Sequence, residues 1–186
     1  DMNPRNTPHS TKSPARKRAL RAAHVRVCNR QIQLASPWSP ALRSRTRLRA
    51  APVRHFVDPS LAVAAMRASP ERLLADPKWF GFLFENLVLR DLRVYAQALD
   101  AEVYHYRDES GLEADAIIEM ADGRWAAFEV KLGQGEVDSA AEHLKRLRDR
   151  VDSGTADEPL ALGVITGAGY GYVRRDGVAV IPIGAL

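Results

Sequence analysis

The chain has 186 residues, of which 46% are hydrophobic, and carries a formal net charge of +4 with a single cysteine, Cys28. This length suffices for the core of one domain plus an extra segment, and the apolar share is ordinary for a globular protein. The sequence contains no long uncharged apolar run and no apolar-centred leader, so we expect no membrane-spanning segment and no secretory signal. One cysteine excludes an internal disulfide and favours a reducing, cytoplasmic setting.

The charges are unevenly distributed along the chain. Residues 1–54 contain 13 Lys or Arg and one acid, whereas residues 55–186 contain 14 Lys or Arg and 22 Asp or Glu. We expect residues 1–36 to be a basic, disordered extension with at most a short helix over 15–27, because prolines and arginines are frequent there and large apolar residues are few. Such an extension is either a nucleic-acid-binding arm or a solvated tail.

Residues 37–76 are expected to form a helical lead-in to the main domain. His55–Ser60 predicts a short extended piece that ends in a helix-capping serine, and Leu61–Ala68 predicts a brief helix. Pro70 begins a second short helix, since proline suits an early helical position.

The remaining residues, 77–186, are expected to form an α/β core. A long helix is predicted from Pro77 to Ala98, largely buried because its first half is apolar around most of its circumference. Turn sequences separate the three β-rich runs that follow and predict an antiparallel meander of 101–107, 112–120 and 124–131. The order ends with an amphipathic helix over 136–151, a strand over 160–166, and a hairpin of 172–174 with 178–183.

Three acids and a lysine of this core form a pattern that indicates chemistry. Glu129 and Lys131 are two residues apart on a predicted strand and therefore share a face, and Asp115 lies on the preceding strand. Glu85 lies in mid-helix among apolar residues, where a carboxylate is costly unless it is paired or coordinated. Oxygen ligands of this kind hold Mg²⁺ or Mn²⁺, and a neighbouring ammonium stabilises charge that builds on a phosphate.

The pattern requires Asp115 and Glu129 to lie on one face of the sheet. A three-residue turn over 121–123, with Gly123 in the left-handed conformation, pairs Asp115 with Glu129, whereas a two-residue turn would send Asp115 to the other face. We predict the three-residue turn. The expected site face then holds Asp115, Ile117, Trp125, Ala127, Glu129 and Lys131, and the expected buried face holds Ile118, Met120, Phe128 and Val130.

The order helix Glu, Asp, Glu-x-Lys resembles the PD-(D/E)XK nuclease superfamily at Glu85, Asp115, Glu129 and Lys131. From about residue 37 onwards, the chain also resembles the C-terminal domain, DUF4143, of many prokaryotic AAA-type ATPases. The stretches that carry this closer resemblance are His55–Ala62, Gly81–Val88, Tyr106–Asp115 and Phe128–Lys131.

The resemblance implies a nuclease-like α/β core with a mixed central sheet flanked by helices. It implies that Asp115, Glu129 and Glu85 bind Mg²⁺ or Mn²⁺ and that Lys131 positions or activates the attacking water. It also implies an ATPase partner module. This sequence has no Gly-x-x-x-x-Gly-Lys-Ser/Thr loop and starts at Asp1, so we expect a fragment that does not itself bind ATP.

Two functions remain open at this point. One is a metal-dependent deoxyribonuclease or DNA-binding domain. The other is a catalytically inactive interaction domain that couples the ATPase to a protein partner. The acid excess of residues 55–186 favours the second, because phosphate binding requires clustered positive charge. Taken singly, the acids also have ordinary explanations: Glu85 could pair with a buried arginine, and Glu129 with Lys131 could be an exposed ion pair.

Other polar residues give weaker signals of a functional site. His55, His105 and His143 lack the spacing of metal ligands in the sequence. Gln134, just beyond Lys131, fits a contact with substrate and a structural role in a turn equally well.

Overall fold

The computed structural model describes residues 32–40, 42, 48, 51–152 and 157–186. Within these residues the chain forms a two-stranded and a six-stranded sheet with four α-helices. The strands are β1 (Ile32–Ala35), β2 (Val53–Phe56), β3 (Ala101–Arg107), β4 (Glu113–Met120), β5 (Trp125–Lys131), β6 (Ala161–Thr166), β7 (Tyr172–Val173) and β8 (Ala179–Pro182). The helices are α1 (Ser60–Met66), α2 (Pro70–Leu74), α3 (Pro77–Ala98) and α4 (Val137–Arg150).

The large sheet is mixed and has the strand order β3-β4-β5-β6-β8-β7. Its first three strands form the predicted antiparallel meander. Strand β6 pairs in parallel with β5, because the chain crosses back through α4 before it re-enters the sheet, and β6 also pairs in parallel with β8. The expected mixed α/β architecture with flanking helices is confirmed.

Each face of the large sheet is covered by one long helix. Under α4, the sheet and helix bury side chains that include Trp125, Leu144 and Leu147, each at most 1% exposed. Burial of leucines to this extent stabilises the fold by about 2 kcal/mol each. Under α3, Val88, Leu89 and their neighbours pack on the other face of the sheet.

This double coverage corrects one expectation. The face of Asp115 and Glu129 was expected to be the accessible one, yet its residues Ile117 and Ala127 are fully buried under α4. The opposite face, expected to be the buried one, includes the half-buried Ile118, Met120 and Phe128. Because the chain passes through α4 on its way to the parallel strand β6, α4 covers the face that was expected to be open.

Helix α3 begins where predicted but is less buried than expected. The Asp76 side chain accepts a hydrogen bond from Trp79 N (3.1 Å), and Pro77 occupies the first turn, so the helix starts with a regular cap. In the apolar first half, however, Phe82 is 54% exposed. Phe80, Leu83, Phe84 and Leu87 line an open cavity of about 440 Å³ that α1 and α2 help to enclose.

Two expectations about the N-terminal part need correction. Residues 32–35 are not irregular, because they form β1, which pairs with β2 in an antiparallel sheet. Ser60 does not cap α1; instead its N–H donates to Asp58 Oδ1 (2.8 Å). The predicted helix over 15–27, and the disorder expected up to residue 31, lie outside the described residues.

The three-residue turn between β4 and β5 is confirmed. Met120 N donates to Arg124 O (2.8 Å), and Gly123 N donates to Met120 O (2.9 Å). Gly123 has the left-handed φ of +85° that this turn requires. No helix among the described residues is long and apolar enough to cross a membrane.

Candidate functional site

Asp115 and Glu129 meet where β4 and β5 lie side by side. The hairpin pairs Ala116 with Phe128, and one further step sets Asp115 opposite Glu129. Asp115 Oδ2 accepts a hydrogen bond from Val130 N (2.7 Å), which holds this carboxylate against β5. The predicted register of this hairpin is confirmed as far as the pair of Ala116 with Phe128, and the sharing of one ion by the two carboxylates stays a prediction.

A β-bulge lies at the same position. Strand β3 pairs Tyr104 with Ile117 but Tyr106 with Ala114, so β4 has one residue more than β3 between these pairs. The extra residue falls at Asp115–Ala116. Bulges re-aim side chains and are frequent beside active sites.

Glu129 is the most deeply buried acid of the site. Its side chain is 1% exposed, with Lys131 Nζ 2.7 Å from Oε2 and His143 Nδ1 3.8 Å from Oε1. None of the described residues donates a hydrogen bond of regular geometry to either carboxylate oxygen. A buried carboxylate without such donors is costly, because it has lost its water and gained only nearby charge.

The cost appears in the pKa values of the acids. Burial, together with the charge of Asp115, raises the pKa of Glu129 to about 8 even though Lys131 opposes the shift. Burial also raises the pKa of Asp115. For Lys131, burial would lower the pKa, but the charge of Glu129 and its contact with the ammonium outweigh burial and the pKa is raised.

Glu85 approaches the same group of charges from α3. Burial and the charge of Asp115 raise its pKa to about 7, while Lys131 opposes that shift. No described basic side chain forms an ion pair with Glu85, so the alternative of a buried arginine partner has no support. Asp115 and Lys131 thus interact electrostatically with both Glu85 and Glu129.

Two further residues belong to this neighbourhood and were not predicted. His143 reaches Glu129 from α4, where it lies three residues after the buried Ala140 and four before Leu147. That helical spacing places position 143 at the edge of the buried face and is the pattern that could have revealed it. Glu113 adds a negative charge that raises the pKa of Glu85, Asp115 and Glu129.

Gln134 has a structural role in the loops beyond the site. Its side-chain amide donates to Thr166 Oγ1 (3.2 Å) and to Ala168 O. It therefore ties the segment after β5 to the loop after β6, at the edge of the sheet where Lys131 ends its strand.

The site suits a divalent cation in its donor chemistry. Glu129 offers two buried oxygens that lack regular donors, and Asp115 lies beside it. Across the part of the chain that the structure describes, no group of three or more His, Cys, Asp or Glu side chains is arranged to hold a metal ion. Mg²⁺ commonly binds through only one or two carboxylates and keeps several waters, so a pair of acids is a sufficient set.

A second buried carboxylate, Asp108, has the opposite environment. It is 0% exposed, and it accepts hydrogen bonds from Tyr106 Oη (3.0 Å) and from Ser110 N (2.8 Å) and Oγ (2.6 Å). Leu112 N also donates to it, at 3.2 Å, and Arg150 forms an ion pair with it. Burial alone would raise the pKa of Asp108, but these hydrogen bonds and the charge of Arg150 leave it lowered.

A family model described as "Domain of unknown function (DUF4143)" matches residues 80–186. The chain belongs to the DUF4143 family. The match contains Glu85, Asp115, Glu129 and Lys131, whereas the stretch His55–Ala62 lies outside it. No curated protein and no solved structure matches the chain.

Proposed function

We propose that this DUF4143 domain is a PD-(D/E)XK-like nuclease domain that hydrolyses phosphodiester bonds in DNA with Mg²⁺ or Mn²⁺. The observation that supports it best is Glu129, a buried carboxylate without regular hydrogen-bond donors that lies between Lys131 and Asp115. A nuclease-like core, from the helix that carries Glu85 to the strand after α4, is part of the same proposal.

In this mechanism each residue has a distinct task. Asp115 and Glu129 would hold the cation, and Glu85 would add a third acid from the side of α3. A cation held there would neutralise phosphate charge and lower the pKa of the attacking water. Lys131 is held 2.7 Å from Glu129 Oε2, and its side chain is 24% exposed, so the ammonium can donate towards an incoming phosphate while it stays positioned by the carboxylate.

We further propose that the domain normally works as the C-terminal part of a AAA-type ATPase protein. ATP would bind to that module, because this chain contains no phosphate-loop sequence. The reaction would then take place in the cytoplasm on DNA delivered or remodelled by the ATPase.

The test is a nicking assay of plain and branched DNA in the presence of Mg²⁺ or Mn²⁺. We expect cleavage by the wild-type chain and a loss of roughly 10²-fold in Lys131→Met, since a charged donor to the transition state is removed. Lys145→Met is the matched control, because the Lys145 side chain is 23% exposed and likewise paired with acids, Glu142 and Asp176. Equal activity in the Lys131 and Lys145 variants would refute the assignment of Lys131.

A second function is favoured by a specific observation, the excess of eight acids in residues 55–186. In that case the domain is a catalytically inactive module that couples the ATPase to a protein partner, and negative charge would repel DNA. Metal binding without cleavage of any DNA form would support this second function over the first.

A further inference from the structure

We propose that the small sheet of β1 and β2 is joined to the rest of the domain by a pH-sensitive junction, which opens in mild acid and uncovers the outer edge of β3. The junction consists of His55 on β2, His105 on β3 and Arg93 on α3, together with the hydrogen bonds around them. Opening is a local separation of the small sheet, during which the large sheet stays folded. The inference is independent of the proposed DNA hydrolysis, because none of these residues belongs to that site.

Side-chain hydrogen bonds tie both strands of the small sheet to α3. In β1, Gln33 Oε1 accepts a hydrogen bond from Arg93 Nη1 (2.9 Å). In β2, Phe56 N donates to Asn86 Oδ1 (2.8 Å). The small sheet buries little apolar surface, since Phe56 is 40% and Leu34 is 58% exposed. A segment held by surface hydrogen bonds and few buried apolar contacts opens at a lower free energy than a buried sheet, so the small sheet can separate first.

The segment that follows β1 covers the edge of the large sheet. Trp38 N donates to His105 O (2.7 Å), and His105 N donates to Ser36 O (3.1 Å). The Trp38 ring packs against Trp125, with their centroids 4.7 Å apart, and Trp38 is 4% exposed. Separation of this segment exposes Trp38 and frees backbone N–H and C=O groups of β3, an edge that can then pair with another strand.

The centre of the junction contains buried nitrogen atoms that lack partners. His55 is 4% and His105 is 6% exposed, and the Nε2 atoms of both rings and Arg93 Nη2 have no hydrogen-bond partner among the described residues. From β1 the junction receives the uncharged Gln33, and Arg54, the neighbour of His55 on β2, is exposed on the other face of that strand. A proton added to either ring therefore places a second positive charge close to Arg93 and away from water, which is costly.

The cost appears in the pKa values of the two rings. Burial lowers the pKa of His55 from 6.5 to about 4, and the charges of Arg93 and His105 add to the shift. Burial also lowers the pKa of His105; a hydrogen bond with the backbone of Ala51 opposes that shift, and the charge of Arg107 supports it. In the open form both rings return to water and to their ordinary pKa. The closed form is thus fully favoured above pH 6.5 and loses this advantage as pH falls towards 4.

The first experiment measures hydrogen exchange of the full chain between about pH 7.5 and pH 5.5, corrected for the intrinsic exchange rate. The amides of Trp38 and His105 report directly on the covered edge. We expect their opening constant to rise by about tenfold or more over this range, because a single histidine with the pKa of His55 gives about that factor. At each pH it should also exceed the opening constant of the β5 amides. Equal opening constants for the edge and for β5, or no rise in acid, would overturn the proposal.

The matched variants remove the titrating rings. In a chain that carries both His55→Gln and His105→Gln, the opening constant of the Trp38 amide should no longer depend on pH. His143→Gln is the control, because His143 lies on α4, outside the junction, and this variant should keep the full rise. A rise that persists in the double variant would contradict the role of the two rings.

A titration of the wild-type chain tests the same role without any substitution. Nuclear magnetic resonance of the histidine ring protons should show that His55 stays neutral well below pH 6.5 as long as the Trp38 amide is protected. Ordinary titration of both junction rings near pH 6.5, with the Trp38 amide still protected, would show that the closed form tolerates the protons and would refute the junction as a pH-sensitive device.

Discussion

Asp108 and Glu129 are buried to the same degree, but their surroundings shift their pKa values in opposite directions. Asp108 receives hydrogen bonds from two backbone N–H groups and from side-chain hydroxyls, and an arginine neutralises it. Glu129 has only ion-pair neighbours, and its oxygens lack regular donors within the described residues. The pKa of Asp108 is lowered and that of Glu129 is raised to about 8. The contrast separates a carboxylate that stabilises the fold from one that costs stability and is available for chemistry.

Removal of the Asp108 charge is expected to have the largest effect. Asp108→Asn leaves Arg150 without its buried partner and weakens several hydrogen bonds, so unfolding free energy should fall by about 3 kcal/mol. Asp149→Asn is the control, because among the described residues Asp149 pairs with its neighbour Arg148 and its side chain is 63% exposed. Urea denaturation of the two variants measures the difference. A loss of unfolding free energy below about 1 kcal/mol for Asp108→Asn would contradict the stabilising role of Asp108.

Glu129→Gln is expected to raise the unfolding free energy, by an amount that depends on pH. The folded pKa of about 8 lies above the ordinary 4.5, so the folded chain binds more protons and its stability falls as pH rises through this window. Without divalent metal, the unfolding free energy of the wild-type chain should fall between about pH 6.5 and pH 8 by on the order of 1–2 kcal/mol more than that of the variant.

The lower pH limit of this prediction, 6.5, is chosen because another group, His55, titrates below it. Burial lowers the pKa of His55 from 6.5 to about 4, so the folded state favours its neutral form. Its contribution to stability is complete above pH 6.5 and is lost only as pH falls below that value. Melting curves at several pH values measure the decline, and an unchanged pH slope in Glu129→Gln would show that Glu129 is not the titrating group.

The smallest effect concerns the turn that sets the carboxylates opposite each other. Gly123→Ala forces an alanine into φ +85°, and we expect a loss of about 1 kcal/mol. The same substitution at Gly81, in the regular helix α3 with open space around its Cα, should stabilise by up to about 1 kcal/mol. Thermal melting of both variants checks the signs. Equal signs would mean that the conformation of the turn does not matter for stability.

Much of the fold was predictable from the sequence because the decisive features are local. The meander follows from β-rich runs between turn residues, and the register follows from one glycine, Gly123, at the end of a three-residue turn. The same register predicted that Asp115 and Glu129 would meet. The chemical roles of these acids stay predictions.

The features that escaped prediction depend on contacts between distant parts of the chain. The crossover through α4 buries the face of Glu129 and brings His143 to it. Helical periodicity places His143 at the edge of the buried face of α4, but it does not say which strands that face covers. The burial of α3 was overestimated because Phe82 points away from the core, while its neighbours border a cavity. Strand β1 was missed because its four residues follow a long basic segment.

Strand β5 pairs with β4, which is close to it in sequence, and with β6, which is more distant. This difference implies an order of folding. The β4–β5 hairpin closes through a three-residue turn, whereas β6 can pair with β5 only after the chain has traversed α4. Hairpins form in about 1–10 μs, and non-local parallel pairing is slower. We therefore expect Asp115 and Glu129 to come together while they are still in water, where their repulsion is weak, so that the energetic cost arises only when α4 packs over them. Pulse-labelling hydrogen exchange should show protection of the hairpin amides before those of β6.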